Sequence, residues 1–120
     1  MISAIIANHD GERGLHRCLE SLEGRGIEIL LVDNASRDGS LDLVRRRFPE
    51  VTVLPQARNL GFGAANNLAA ARACGDALLL LNADAWLEPG ALDLLAARLT
   101  HSADVGLVAP RLRYPDGRRQ

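Results

Sequence analysis

The stretch Ile27-Glu28-Ile29-Leu30-Leu31-Val32-Asp33-Asn34-Ala35-Ser36 carries a mostly apolar run into an abrupt polar break. The run does not alternate cleanly between polar and apolar residues, so both of its faces are expected to be buried, as in a strand of a parallel sheet. Its end delivers an acid, Asp33, to a turn rich in amide and hydroxyl groups. An amphipathic helix follows, marked by Leu41, Val44 and Phe48 and stopped by Pro49. Strand, polar turn and helix in this order form the unit of an α/β domain.

The same unit recurs outward in both directions. Upstream, Ile2 to Ala7 reads as a buried strand ending in Asn8, His9, Asp10 and Gly11. Leu15, Cys18, Leu19 and Leu22 then fall on one helix face, closed by Gly24 and Gly26. Downstream, Val51 to Leu54 is a short strand. A loop from Asn59 to Gly63 opens an Ala-rich helix running to about Cys74, and Asp76 to Leu81 is the most apolar strand. Pro89 suits the first turn of a helix with Leu92, Leu95, Ala96 and Leu99 on its face. Val105 to Ala109 reads as a fifth strand, and Tyr114-Pro115-Asp116-Gly117 as a turn.

The expected order is β-α-β-α-β-α-β-α-β. It implies an α/β fold with a mostly parallel sheet, helices on both faces and right-handed crossovers, as a single domain over residues 1–120. Ligands of such sheets bind at the carboxyl ends of the strands, where the polar clusters of this sequence lie.

Composition narrows the function. The hydrophobic fraction of 48% and charged fraction of 24% are those of a globular domain with a real core. Net charge is -1 and aromatics are 3%, so a basic, aromatic-studded nucleic-acid surface is not expected. No apolar run approaches the length of a membrane span, and a cytoplasmic location is expected. Cys18 and Cys74 lack metal or redox spacing; Cys18, on an apolar helix face, reads as a buried free thiol. His9, His16 and His101 have no metal spacing or nucleophile partner and read as surface residues, and Arg45 to Arg47 as a solvated helix end.

Three constellations remain. In Val32-Asp33-Asn34-Ala35-Ser36-Arg37-Asp38-Gly39-Ser40, capping of the next helix accounts for Ser36 or Asp38, whereas Asp33 at the strand end is placed to accept a hydrogen bond from a base or ribose. Asn59-Leu60-Gly61-Phe62-Gly63 is a glycine-bearing loop before a helix, suited either to phosphate or simply to turning the chain. Asn82 and Asp84, two apart at the end of the fourth strand, are expected to point the same way. They would offer oxygen donors to Mg²⁺ or Mn²⁺ that also binds a diphosphate; a turn-capping Asp is the plainer alternative.

Taken in order, these segments resemble glycosyltransferase family 2, with the GT-A fold, and most closely its rhamnosyltransferase-like members. The residues that carry the resemblance are Asn8, Cys18 to Leu22, Val32 to Ser36, Asn59 to Phe62 with Asn67, Leu81 to Asp84, Pro110 and Asp116-Gly117. It implies the Rossmann-like nucleotide-binding half of a GT-A fold. A dTDP or UDP sugar is the implied donor, transferred with inversion to a saccharide or lipid-linked acceptor in cell wall or polysaccharide biosynthesis.

The resemblance assigns substrate-binding roles to Asn8, Asp33, Asn34, Asn59, Gly61, Asn67, Asn82 and Asp84. Asp33 is expected at the base, and Asp84 at the Mn²⁺ or Mg²⁺ on the diphosphate. The sequence departs from the family at Asn82, where many relatives have Asp, and at Asp10, Asn66 and Ala69. The catalytic base is expected beyond Gln120, so the chain is expected to be the donor-binding part of a longer enzyme. Peripheral membrane association of that enzyme, and self-association, stay open. The alternatives are a non-catalytic nucleotide-binding or assembly module and a sugar nucleotidyltransferase; the latter lacks its glycine- and Arg-rich loop after the first strand.

Overall fold

The computed structural model describes residues 1–120. The elements are β1 (Ile2–Asn8), α1 (Glu12–Glu20), β2 (Glu28–Asp33), α2 (Ser40–Arg47), β3 (Thr52–Pro55), α3 (Phe62–Ala70), β4 (Ala77–Asn82) and α4 (Ala91–Thr100). The chain divides into two compact units, Met1–Trp86 and Leu87–Gln120.

In the first unit the four strands pair in parallel in the order β3-β2-β1-β4. From β1 the chain steps outward to β2 and β3, then returns across the sheet to β4. Right-handed crossovers in opposite directions place their helices on opposite faces. Accordingly, α3 packs on β1 and β2, where Ile5, Leu30, Val32, Ala65 and Ala69 form a buried cluster. α1 and α2 pack against each other. The alternate positions Ala4, Ile6 and Leu31 are fully buried, as are Leu15, Cys18, Leu19 and Val44 on the two helices. His16 meets the Phe48 ring edge-on, with centroids 5.6 Å apart.

β1 and β2 are buried on both faces, as their unbroken apolar runs require. β4 differs. Its register aligns Leu78 with Ser3 and Leu80 with Ile5, on the α3 side of the sheet. The apolar contacts of α3 are with β1 and β2, so Leu78 and Leu80 stay 46% and 55% exposed. Helix cover is thus complete in the middle of the sheet and absent from one face of its β4 edge.

The second unit holds α4, which buries Leu92, half-buries Leu95, Ala96 and Leu99, and leaves Leu94 exposed. The helix begins at Ala91 after Gly90, whose φ of 79° is left-handed, so Pro89 precedes the helix and does not occupy its first turn. The expected strand at Val105 to Ala109 does not form. Gly106 lowers strand propensity, Pro110 removes an amide donor, and Leu107 is 83% exposed. The turn at Tyr114–Gly117 is present, with Gly117 N–H donating to Tyr114 O at 2.9 Å.

Candidate functional site

The sheet order reverses direction between β1 and β4, so the crevice beyond their carboxyl ends is the position at which this architecture binds ligands. Three groups of polar residues stand there.

The first is buried. Asn8 and Asp33 end adjacent strands, are paired in register, and are each 1% exposed. Asn8 Nδ2 donates to Asp33 Oδ1 at 3.1 Å and to Ser36 Oγ at 3.2 Å, and Ser36 N–H donates to Asp33 Oδ2 at 3.0 Å. Both oxygens of Asp33 therefore serve the fold, fixing Asn8 and the turn after β2. Asn8 Oδ1 is buried with no hydrogen-bond partner, under Gly11, where a Cβ would lie 2.3 Å from it. Asn34, 4% exposed, clamps the next loop: its Oδ1 accepts from Leu60 N–H at 3.2 Å and its Nδ2 donates to Gly61 O at 3.4 Å.

The second group laces the loops after β1 and β2 together. Asp10 Oδ1 accepts from the amides of Arg37 and Asp38 at 2.7 and 3.3 Å. Asp38 Oδ2 accepts from Glu12 N–H, and Glu12 Oε2 from Gly39 N–H, each at 3.0 Å. Each loop thereby supplies a carboxylate to the start of the other loop's helix, where amides lack partners and the helix dipole favours negative charge. Asp38 also accepts from Ser40 N–H, so it caps its own helix as expected. Ser36 does not; its hydroxyl accepts from Asp10 N–H at 2.9 Å and joins the loops. Asp10 and Ala35 take left-handed conformations, φ 51° and 56°, and such strain in non-glycine residues gathers at functional sites.

Between these loops and the β3–α3 loop lies a cleft of about 470 Å³. It is lined by His9 and Asp10, by Ala35 and Arg37, and by Ala57, Arg58 and Asn59. That volume suits a nucleoside-sized ligand. His9, read from the sequence as a surface residue, is half-exposed here, with Nδ1 2.6 Å from Asn34 O. Neither Arg37 nor Arg58 was singled out by the sequence reading, because a lone Arg in a loop carries no periodic or motif signal.

The remaining expected residues divide. Asn59 Oδ1 accepts from Gly61 N–H at 2.8 Å, so its side chain shapes its own loop, and Gly61, φ 82°, takes the left-handed turn before α3. Asn67 is exposed on α3, while its neighbour Asn66 is 7% exposed, with Nδ2 donating to Phe62 O and Oδ1 unpaired.

The third group is the β4 mouth. Asn82 and Asp84 are both exposed. β4 ends at Asn82 and the chain turns, with Ala85 N–H donating to Asn82 O at 3.0 Å. Strand alternation therefore does not reach Asp84, and the same-side argument from spacing does not hold. No set of three or more His, Cys, Asp or Glu side chains is gathered to hold an ion alone. One exposed carboxylate beside one exposed carboxamide fits a hard cation only when a diphosphate supplies further oxygens, which is how Mg²⁺-type ions are commonly held.

Cys18, fully buried beneath this turn, donates through Sγ to Asn82 O at 3.5 Å. Burial, and secondarily the Asp84 charge, push its thiol from 9.0 up to about 12. Because the folded value is raised, the unfolded chain binds fewer protons than the native one above pH 9, and stability falls as pH rises from about 9 to 12. Cys18→Ala is expected to flatten that slope in alkaline melts. Iodoacetamide at pH 8 is expected to modify exposed Cys74 readily and Cys18 only after unfolding, as read by mass spectrometry.

Residues 3–120 match Glycosyl transferase family 2. The N-acetylglucosaminyl-diphospho-decaprenol L-rhamnosyltransferase of Mycobacterium tuberculosis is 34% identical over 117 residues, covering 86% of this chain and 38% of that protein. The putative glycosyltransferase EpsH of Bacillus subtilis is 30% identical over 97 residues, 73% of this chain and 27% of EpsH. Among solved structures, the mannosyltransferase PcManGT of Pyrobaculum calidifontis, in complex with GDP-Man and Mn²⁺, superposes with a TM-score of 0.76 at 23% identity, covering 82% of this chain and 32% of that one. TarS 1–349 of S. aureus in complex with UDP-GlcNAc gives 0.75 at 24%, covering 83% and 31%. The chain spans less than two fifths of each of these relatives. The parallel sheet and its helices are those of GT-A glycosyltransferases, and the chain belongs to glycosyltransferase family 2.

Proposed function

We propose that this chain binds the nucleoside-diphosphate sugar donor of a glycosyltransferase, a dTDP or UDP sugar, with a divalent cation, for inverting transfer to a saccharide or lipid-linked acceptor. The observation that carries the reading is the juxtaposition, at the carboxyl ends of neighbouring strands, of a buried Asn8–Asp33–Ser36 cluster beside a nucleoside-sized cleft and an exposed Asn82/Asp84 pair. The relatives agree in chemistry: one solved structure holds GDP-Man and Mn²⁺, another UDP-GlcNAc, and the mycobacterial protein is named for a diphospho-decaprenol acceptor.

In this reading the cleft receives base and ribose. Asp33 and Asn8 brace the turn after β2 that lines one side of it, and Asn34 holds the loop that brings Asn59 to the other. Asp84, with Asn82 beside it, would hold Mn²⁺ or Mg²⁺ on the diphosphate; bound there, the cation neutralises charge that develops on the leaving nucleoside diphosphate.

Calorimetric titration with UDP and with dTDP, each with and without Mn²⁺, tests this. Saturable binding that Mn²⁺ tightens at least roughly tenfold, about 1.4 kcal/mol, is expected. A folded protein that binds neither nucleotide would refute the reading.

A further inference from the structure

One face of α1 grips the turn that carries Asp84. Gly14, Arg17 and Cys18 lie at i, i+3 and i+4 and so share that face. A Cβ on Gly14 would stand 2.8 Å from Asp84 Cα and 3.1 Å from Ala83 O, so the approach of helix to turn requires glycine. Cys18 Sγ donates to Asn82 O, the same carbonyl that Ala85 N–H bonds to close the turn. The Arg17 guanidinium stacks on Trp86, 3.6 Å from the ring centroid, close enough for a cation–π attraction. Positions 82, 84 and 86 are thus each met by a different residue of one helix, and the short turn between them carries the exposed carboxylate.

We infer that Gly14, Arg17 and Cys18 are positioning residues for Asp84, setting where its carboxylate stands relative to the β1 mouth. The inference rests on the metal-site reading above and adds to it the part of the fold that aims the ligand. A cation shared between one carboxylate and a diphosphate depends on placement, because no set of three or more ligating side chains is gathered to hold it alone. Small displacements of the turn should therefore act on cation-linked affinity before they act on stability.

The test uses Gly14→Ala and Arg17→Ala in the 120-residue chain. Alanine is the better helix former, so Gly14→Ala should not weaken α1 itself, while its methyl group must push the Asp84 turn away. UDP affinity in Mn²⁺ is expected to fall about tenfold for Gly14→Ala and roughly threefold for Arg17→Ala, with metal-free UDP affinity within about twofold of the parent. Arg17→Lys, which retains a cation over Trp86, should recover part of the loss. Amide exchange at Ala85 should quicken in both alanine variants. If both bind Mn²⁺ and UDP like the parent while Asp84→Ala does not, the positioning role is overturned and the metal reading stands. If Asp84→Ala also binds like the parent, the metal reading fails and this inference with it. Should Gly14→Ala prove unfolded, the Arg17 pair decides alone.

Discussion

Asp84→Ala is expected to lose the Mn²⁺-dependent share of nucleotide affinity, roughly 10–100-fold or about 1.4–2.7 kcal/mol, while its melting temperature stays close to the parent's. The physical ground is exposure. Asp84 takes part in none of the side-chain hydrogen bonds that tie the loops together, and substitutions at such surface positions usually shift stability by no more than about 0.5 kcal/mol. Titrations of both proteins with UDP, in Mn²⁺ and in EDTA, separate the two quantities. The EDTA curves should coincide and the Mn²⁺ curves should part. An Asp84→Ala protein that keeps the full response to Mn²⁺ would place the cation elsewhere.

Asp33→Ala should behave in the opposite way. Its carboxylate is 1% exposed and accepts from both Asn8 Nδ2 and Ser36 N–H. Removal leaves two donors without these acceptors, at about 1–3 kcal/mol each, so a loss of roughly 2–6 kcal/mol is expected. For a domain of this size that lowers the melting point by on the order of 10 °C or more. Asp33→Asn keeps the shape but sets an NH₂ against one of those donors, and should recover little. Nucleotide affinity should drop with and without Mn²⁺ alike, because the turn that lines the cleft loosens. Thermal melts paired with titration well below the melting point measure both effects; an Asp33→Ala protein that melts with the parent would show that these buried bonds contribute little.

That contrast was only half legible in the sequence. Asp33 and Asp84 both stood out as acids at the ends of apolar runs, and the strands came within a residue or so of their observed limits because continuous hydrophobic runs are strong signals. The burial of Asp33 against Asn8 was not visible, since it depends on a register between strands 25 residues apart. The same holds for the exchange of carboxylates among Asp10, Glu12 and Asp38, across 26 to 28 residues. Gly14 left no trace either: it is an ordinary helical position until another backbone comes within reach of its missing Cβ. The misread strand at Val105 to Ala109 shows the converse, since an apolar run becomes a strand only where a neighbour accepts its hydrogen bonds.

The reciprocal capping of the loops after β1 and β2 bears on how quickly and cheaply a ligand is taken up. Loops pinned by one another's carboxylates have little motion left to lose, so the entropic cost of ordering them falls on folding and not on each encounter. Nucleotide capture by such a cleft should resemble docking to a rigid surface, with weak dependence of the association rate on loop rearrangement. The joints of that surface are carboxylates. Alanine in place of Asp10 and Asp38 would give the loops back their freedom while the sheet beneath them holds, and the cleft would slow and weaken.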